Sequence, residues 1–106
     1  MAKVFVLNPR EGVDFSAAEE HGEIVYVGKN ISPCNFETIS EVMEDLASQM
    51  SEEDFVLPTA SMASSVMMAY LIQNLMLNVF GDSTKLNMLV FDAKACKYHK
   101  RTMNLN

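Results

Sequence analysis

DFVLPTASMASS, residues 54–65, is the stretch that decides how this chain folds. A short apolar run stops at Pro58, small hydroxyl residues follow, and a long apolar segment begins. That order predicts a strand over 54–57, a tight turn, and a helix from Ala60 to about Phe80. Thr59 or Ser61 is placed to cap the helix. The same turn can also offer its first free amides, with help from the helix dipole, to a phosphate or carboxylate.

Working outward, the flanking segments repeat the alternation of strand and helix. KVFVL (3–7) and EIVYVG (23–28) are β-branched, apolar runs and read as strands. Between them, DFSAAEEHG (14–22) carries Ser16 with Glu19 three residues on, the pattern of a capping box, and Gly22 as a stop. A short helix is expected there. NFETISEVMEDLASQM (35–50) places Phe36, Ile39, Val42, Met43, Leu46 and Met50 on one helical face, with Glu37, Glu41, Glu44 and Asp45 outside it. KLNMLVFD (85–92) is a fourth strand, AKA a tight connection, and CKYHKRTMN (96–104) a fifth with polar alternation. Continuous apolar strands are expected where helices cover both faces of a sheet, and an alternating one at an edge. The chain therefore reads as a single α/β domain over 1–106. Its expected form is a small, Rossmann-like, three-layer arrangement with a mostly parallel sheet of about five strands, closed by a C-terminal antiparallel hairpin.

The helix over 60–80 is apolar around most of its circumference. Met62, Val66, Ala69, Gln73, Met76 and Phe80 make one stripe, broadened by Ala63, Met67, Tyr70, Leu71 and Leu75. Such a helix must be buried on more than one side. One face can lie on the sheet, but a chain of 106 residues has little left to cover the other. Self-association through this helix, most simply as a two-fold dimer, is the expectation.

Composition narrows the function classes. Nearly half the residues are apolar and the net charge is −6, which argues against a general nucleic-acid binder. The charge is uneven: residues 1–84 hold 3 Lys/Arg against 13 Asp/Glu, whereas residues 85–106 hold 5 against 1. The basic end, KACKYHKR (94–101), suits a small anion or the acidic face of another copy. Gln73, Asn74 and Asn78 interrupt the most apolar segment, which is too short and polar to span a membrane. With no secretory signal at its start, the chain is expected in the cytoplasm. Cys34 and Cys96 then read as reduced thiols. His21 and His99 stand at no metal-binding interval from either, so no metal and no cofactor are expected.

Ligands of open parallel sheets bind beyond the carboxyl ends of the strands. The residues there are Asn8 and Arg10 after the first strand, Lys29 after the second, Thr59 and Ser61 after the third, and Asp92 after the fourth. Arg101 is a further charge partner for an anion. No G-x-G-x-x-G and no Walker lysine is present. Nor is any nucleophile set in an evident Ser-His-Asp arrangement, and the chain is expected not to be an enzyme. A hydrolase using Asp92 or Cys34 is the least favoured reading.

VFVLNPR, DFSAAEEHGEIVYV, the apolar strand running into PTASMASS, and LNMLVFDAKACKYHKRT together resemble small phage-encoded α/β proteins. Within that class the pattern is similar to the Thoeris anti-defence sponges, compact Rossmann-like oligomers that sequester cyclic ADP-ribose-type signals without degrading them. The resemblance implies a non-catalytic protein that binds a nucleotide-like small molecule in the cytoplasm of an infected bacterium. It transfers no binding residue position by position. Where such proteins are expected to carry a glycine after the third strand, Ala60 stands here; a positive φ at Ala60 would be strained. The alternative reading, from the residues alone, is an acidic module whose helix 35–50 inhibits a host protein without a small ligand.

Overall fold

The computed structural model describes residues 2–77 and 85–105. Five strands form one mixed sheet: β1 (Lys3–Leu7), β2 (Glu23–Val27), β3 (Phe55–Pro58), β4 (Lys85–Asp92) and β5 (Lys97–Asn104). Their order across the sheet is β2-β1-β3-β4-β5, with β1, β2, β3 and β4 parallel and β5 antiparallel to β4. The helices are α1 (Phe36–Gln49) and α2 (Met62–Leu77), with a 3-10 helix over Ser16–His21. The expected α/β class, the mostly parallel sheet and the terminal hairpin are all present. The part of the long helix expected over 78–80 lies outside the described residues.

The layers differ from expectation. α1 and α2 both lie on one face, packing Ile39, Met43, Met67 and Leu71 onto Phe5, Leu7, Val56 and Leu86. The opposite face (Val4, Val6, Leu57 and Leu89) is covered by Phe15 and Ala18 of the 3-10 segment and by Tyr98. In the connection from β1 to β2 only Ser16–His21 are helical, as a 3-10 helix, after a loop that carries Pro9 and Gly12.

The expected capping box over Ser16 and Glu19 does not form. Phe15 precedes the 3-10 helix with no side-chain cap. The carboxylate of Asp14 instead accepts the Ser16 amide at 2.8 Å, so the cap-like acceptor sits two residues earlier. Gly22 does end the segment, for a steric reason. A Cβ there would stand 2.5 Å from the carbonyl oxygen of Ala2, where the chain enters β2 beside β1. Gly28 follows β2 at φ +68°, so the strand stops at Val27.

α1 forms as its periodicity predicts. Asn35 caps it by accepting the Thr38 amide, and Ile39, Met43 and Leu46 are buried. Phe36, expected on the buried face, is 56% exposed and instead lies against Tyr70 of α2 with ring centroids 6.5 Å apart. α2 buries one side of its broad apolar surface and exposes the other. Ala63, Met67, Leu71 and Leu75 face the core, whereas Met62 and Met76 are 70% and 61% exposed. No helix among the described residues is long and apolar enough to cross a membrane.

Candidate functional site

The connections after β1 and β3 leave toward opposite faces, one to the 3-10 segment and the other to α2. The carboxyl ends of these adjacent strands therefore open a crevice, the place where parallel sheets seat ligands. Three of the expected residues meet in it. Asn8 Nδ2 donates to Ser61 Oγ at 2.9 Å, and Thr59 Oγ1 donates to the Leu7 carbonyl at 2.8 Å. Ser61 Oγ also accepts the Ser64 amide at 3.0 Å, which makes Ser61 the N-cap of α2.

This group is knotted to itself. The Thr59 amide, one that an anion could have used, donates to Ser64 Oγ at 2.8 Å. Ser64 is fully buried and was not among the expected site residues. Its position three residues after the cap was the available signal. The left-handed residue of the crevice is Asn8, at φ 50°, not Ala60. Asparagine tolerates that conformation. The turn over residues 58–61 is thus a capped helix start tied to the end of β1.

The charged candidates are placed apart. Lys29 Nζ lies 3.9 Å from Glu11, both well exposed. Asp92 closes the hairpin: Oδ1 accepts the Lys94 and Ala95 amides at 3.0 and 3.3 Å, and Oδ2 lies 3.1 Å from His99 Nε2. The hydrogen bond from His99, followed by the Ala95 amide, lowers the Asp92 carboxyl below its ordinary 3.8. A depressed carboxyl contributes stability above the unfolded value, lost as pH falls through the folded one. Opening of the hairpin, followed by exchange of the Lys94 and Ala95 amides, is therefore expected to rise as pH falls below 3.8. In Asp92→Asn, opening is expected to stay flat over the same range.

Arg101 is not in the crevice. Register pairs it with Met88, whose side chain packs with the helices, so Arg101 lies on the helix face in the middle of an edge strand. Its Nη1 donates to the Lys100 carbonyl at 2.9 Å.

On the opposite face, beside the crevice, lies a cleft of about 440 Å³ between the loop that carries Arg10 and the β4–β5 hairpin. Leu57, Pro58 and Thr59 form its floor, Phe15, Phe91 and Tyr98 line it, and Arg10 and Asp14 supply the charges. The size and the mainly apolar lining with few polar groups suit a small molecule. The rings of Phe91 and Tyr98 stand 5.1 Å apart and tilted, a favourable aromatic contact. Burial, and then the charge of Asp14, raises the Tyr98 phenol above its ordinary value. Sequence reasoning named Arg10 and Thr59 but missed the aromatic lining, because Phe91 and Tyr98 meet only through hairpin register.

A larger, shallow depression of about 780 Å³ around the 3-10 segment is lined by Asp14, Glu19, Glu20 and Glu23, a poor setting for an anion. His21 lies in its wall. Its Nε2 stands 3.2 Å from Glu20 Oε1 but is not aligned for a hydrogen bond. Among the described residues no group of three or more His, Cys, Asp or Glu is placed to hold a metal ion. Cys34 and Cys96 are free thiols and exposed.

No protein-family model matches the chain, and neither a curated protein nor a solved structure matches it.

Proposed function

We propose that this chain is a non-catalytic binding protein that sequesters a nucleotide-derived signal of the cyclic ADP-ribose type. In this reading it works as a Rossmann-like, phage-type anti-defence protein in the cytoplasm of an infected bacterium. The observation that carries it is the cleft at the carboxyl ends of β3 and β4, apolar in its walls and carrying Arg10 at its rim. Of the titratable side chains that line it, Asp14 is engaged by the Ser16 amide, and burial followed by the charge of Asp14 holds the Tyr98 phenol above its ordinary value. Binding without turnover is what such a cleft supports. The resemblance of the sequence to Thoeris anti-defence sponges points to the ligand class.

The exposed stripe of α2 supports the oligomeric part of the reading. Met62, Met76 and Leu77 leave an apolar strip on the outside of a single chain, and a second copy related by a two-fold axis covers it most simply.

Native mass spectrometry of the protein after incubation with lysate from infected and uninfected bacteria tests both parts together. The expected result is an oligomer carrying a nucleotide-sized adduct that is released unchanged on denaturation. Arg10→Ala is expected to weaken retention at least about tenfold, the loss of one charge-assisted contact. A bare monomer would remove the reading, and an adduct returned as a cleavage product would make the protein an enzyme.

A further inference from the structure

The two outer edges of the sheet carry opposite charge. Among the described residues β2 and β5 each pair with a single neighbour and leave their other side unpaired. α1 lies toward the β2 edge, where Val42, Asp45, Leu46 and Gln49 border a small cleft with Val25 and Val27. Helical geometry then sets Glu41 and Asp45, one turn apart and both exposed, on the solvent side of α1, with Asp45 on the flank nearer β2, where its Oδ2 accepts Gln49 Nε2 at 2.7 Å, and with exposed Glu23 on the strand itself. At the other edge, register puts Lys97, His99 and Arg101 of β5 on the same helix-bearing face, opposite Asp92, Val90 and Met88. The helix layer stops short of this edge. Along β4, exposure rises from 2% at Leu86 to 46% at Val90 on that face.

We propose that these edges are the two halves of a head-to-tail interface between copies of this chain, a contact separate from the α2 stripe and independent of ligand binding. A copy displaced along the sheet brings its β2 beside β5 in antiparallel orientation. Its α1 then lies beside the uncovered end of β4 and β5. Glu41 and Asp45 of that copy face Lys97 and Arg101 of the first. Pairing β5 with a second β5 across a two-fold axis would set lysines and arginines against one another, which is destabilising. The acidic edge is likewise unable to pair with itself. Only the heterologous arrangement matches the charges, and it builds a ring or an open chain of subunits. Lysine on an edge strand also serves simply to keep edges apart; that reading predicts no association at any salt concentration.

The test is a charge swap. One variant carries Glu41→Lys and Asp45→Lys, the other Lys97→Glu and Arg101→Glu, all four positions being exposed. Circular dichroism and thermal melting check that each variant is folded. Sedimentation velocity then compares wild type and variants at about 20 mM and about 500 mM salt, where screening lengths differ severalfold. Wild type is expected to show a salt-sensitive association step at low salt. Each variant alone is expected to lose it by at least tenfold in apparent affinity. An equimolar mixture is expected to regain it, because each basic edge again meets an acidic one. Association that is insensitive to salt and to both pairs of substitutions overturns the proposal, as does a mixture of folded variants that fails to associate.

Discussion

Asp54→Ala is expected to lower the unfolding free energy by about 3 kcal/mol, the loss of two charge-assisted hydrogen bonds made by one buried carboxylate. Asp54 immediately precedes β3 and is 6% exposed. Its Oδ1 accepts the amide of Lys3, where β1 begins, and its Oδ2 accepts the amide of Ser51, each at 2.9 Å. The side chain thus holds together the start of β1 and the turn that leads from α1 into β3. Alanine leaves two backbone donors without the acceptor around which they are arranged. Asp54→Asn separates the hydrogen bonds from mere loss of bulk. Its one carbonyl oxygen serves one amide, while its own NH2 meets the other donor to donor. Less than half of the loss is therefore expected to be recovered. Urea unfolding of the three proteins checks the order wild type, Asn, Ala; an alanine variant within about 0.5 kcal/mol of wild type would show that water replaces the carboxylate.

Leu71→Ala is expected to cost a similar amount, about 3 kcal/mol, by a different mechanism. Leu71 is fully buried in the cluster that joins α1, α2 and the sheet. Truncation removes transfer free energy and leaves a cavity that a layer of packed methionines and leucines closes only partly. The informative comparison is Leu77→Ala on the same helix. Leu77 is 69% exposed, and in an isolated chain its truncation is expected to fall within about 0.5 kcal/mol. A cost for Leu77→Ala that grows with protein concentration would report that the outer stripe is buried between copies. Denaturant melts at two concentrations distinguish the cases.

Much of the architecture was legible in the sequence because it rests on local periodicity. The run VFVL and the spacing of Ile39, Met43 and Leu46 each select one element with little help from the rest of the chain, whereas the third strand, expected to stop before Pro58, runs through it, Pro58 pairing with Leu7. Where the local signal was short, it misled. Ser16 and Glu19 have the spacing of a capping box, yet the six residues from Ser16 form a 3-10 helix whose first amide is taken by Asp14. Phe36 fits the apolar stripe of α1 but sits at its first turn, beyond the reach of the core and against Tyr70.

The candidate site was less legible. The strand-end residues Asn8, Thr59 and Ser61 were found, because a parallel sheet dictates where its connections emerge. Their role was not, because a hydroxyl offered to a ligand and one that satisfies its own backbone look alike in sequence. Arg101 was grouped with the site for its charge, whereas register turns it toward the helix-bearing face. Phe91 and Tyr98 were overlooked because neither has a local pattern that marks it.

From its sequence alone this chain determined its class, the strand and helix order, and a long helix apolar around most of its circumference. These follow from alternation, from turns and from the pattern of buried side chains, all of which act over a few residues. Only the tertiary structure decided that both helices share one face, which side of α2 is buried, and which polar side chains are used by the fold. Those outcomes depend on contacts between residues as distant in sequence as Asn8 and Ser61, or Lys3 and Asp54, that are set when the strands pair.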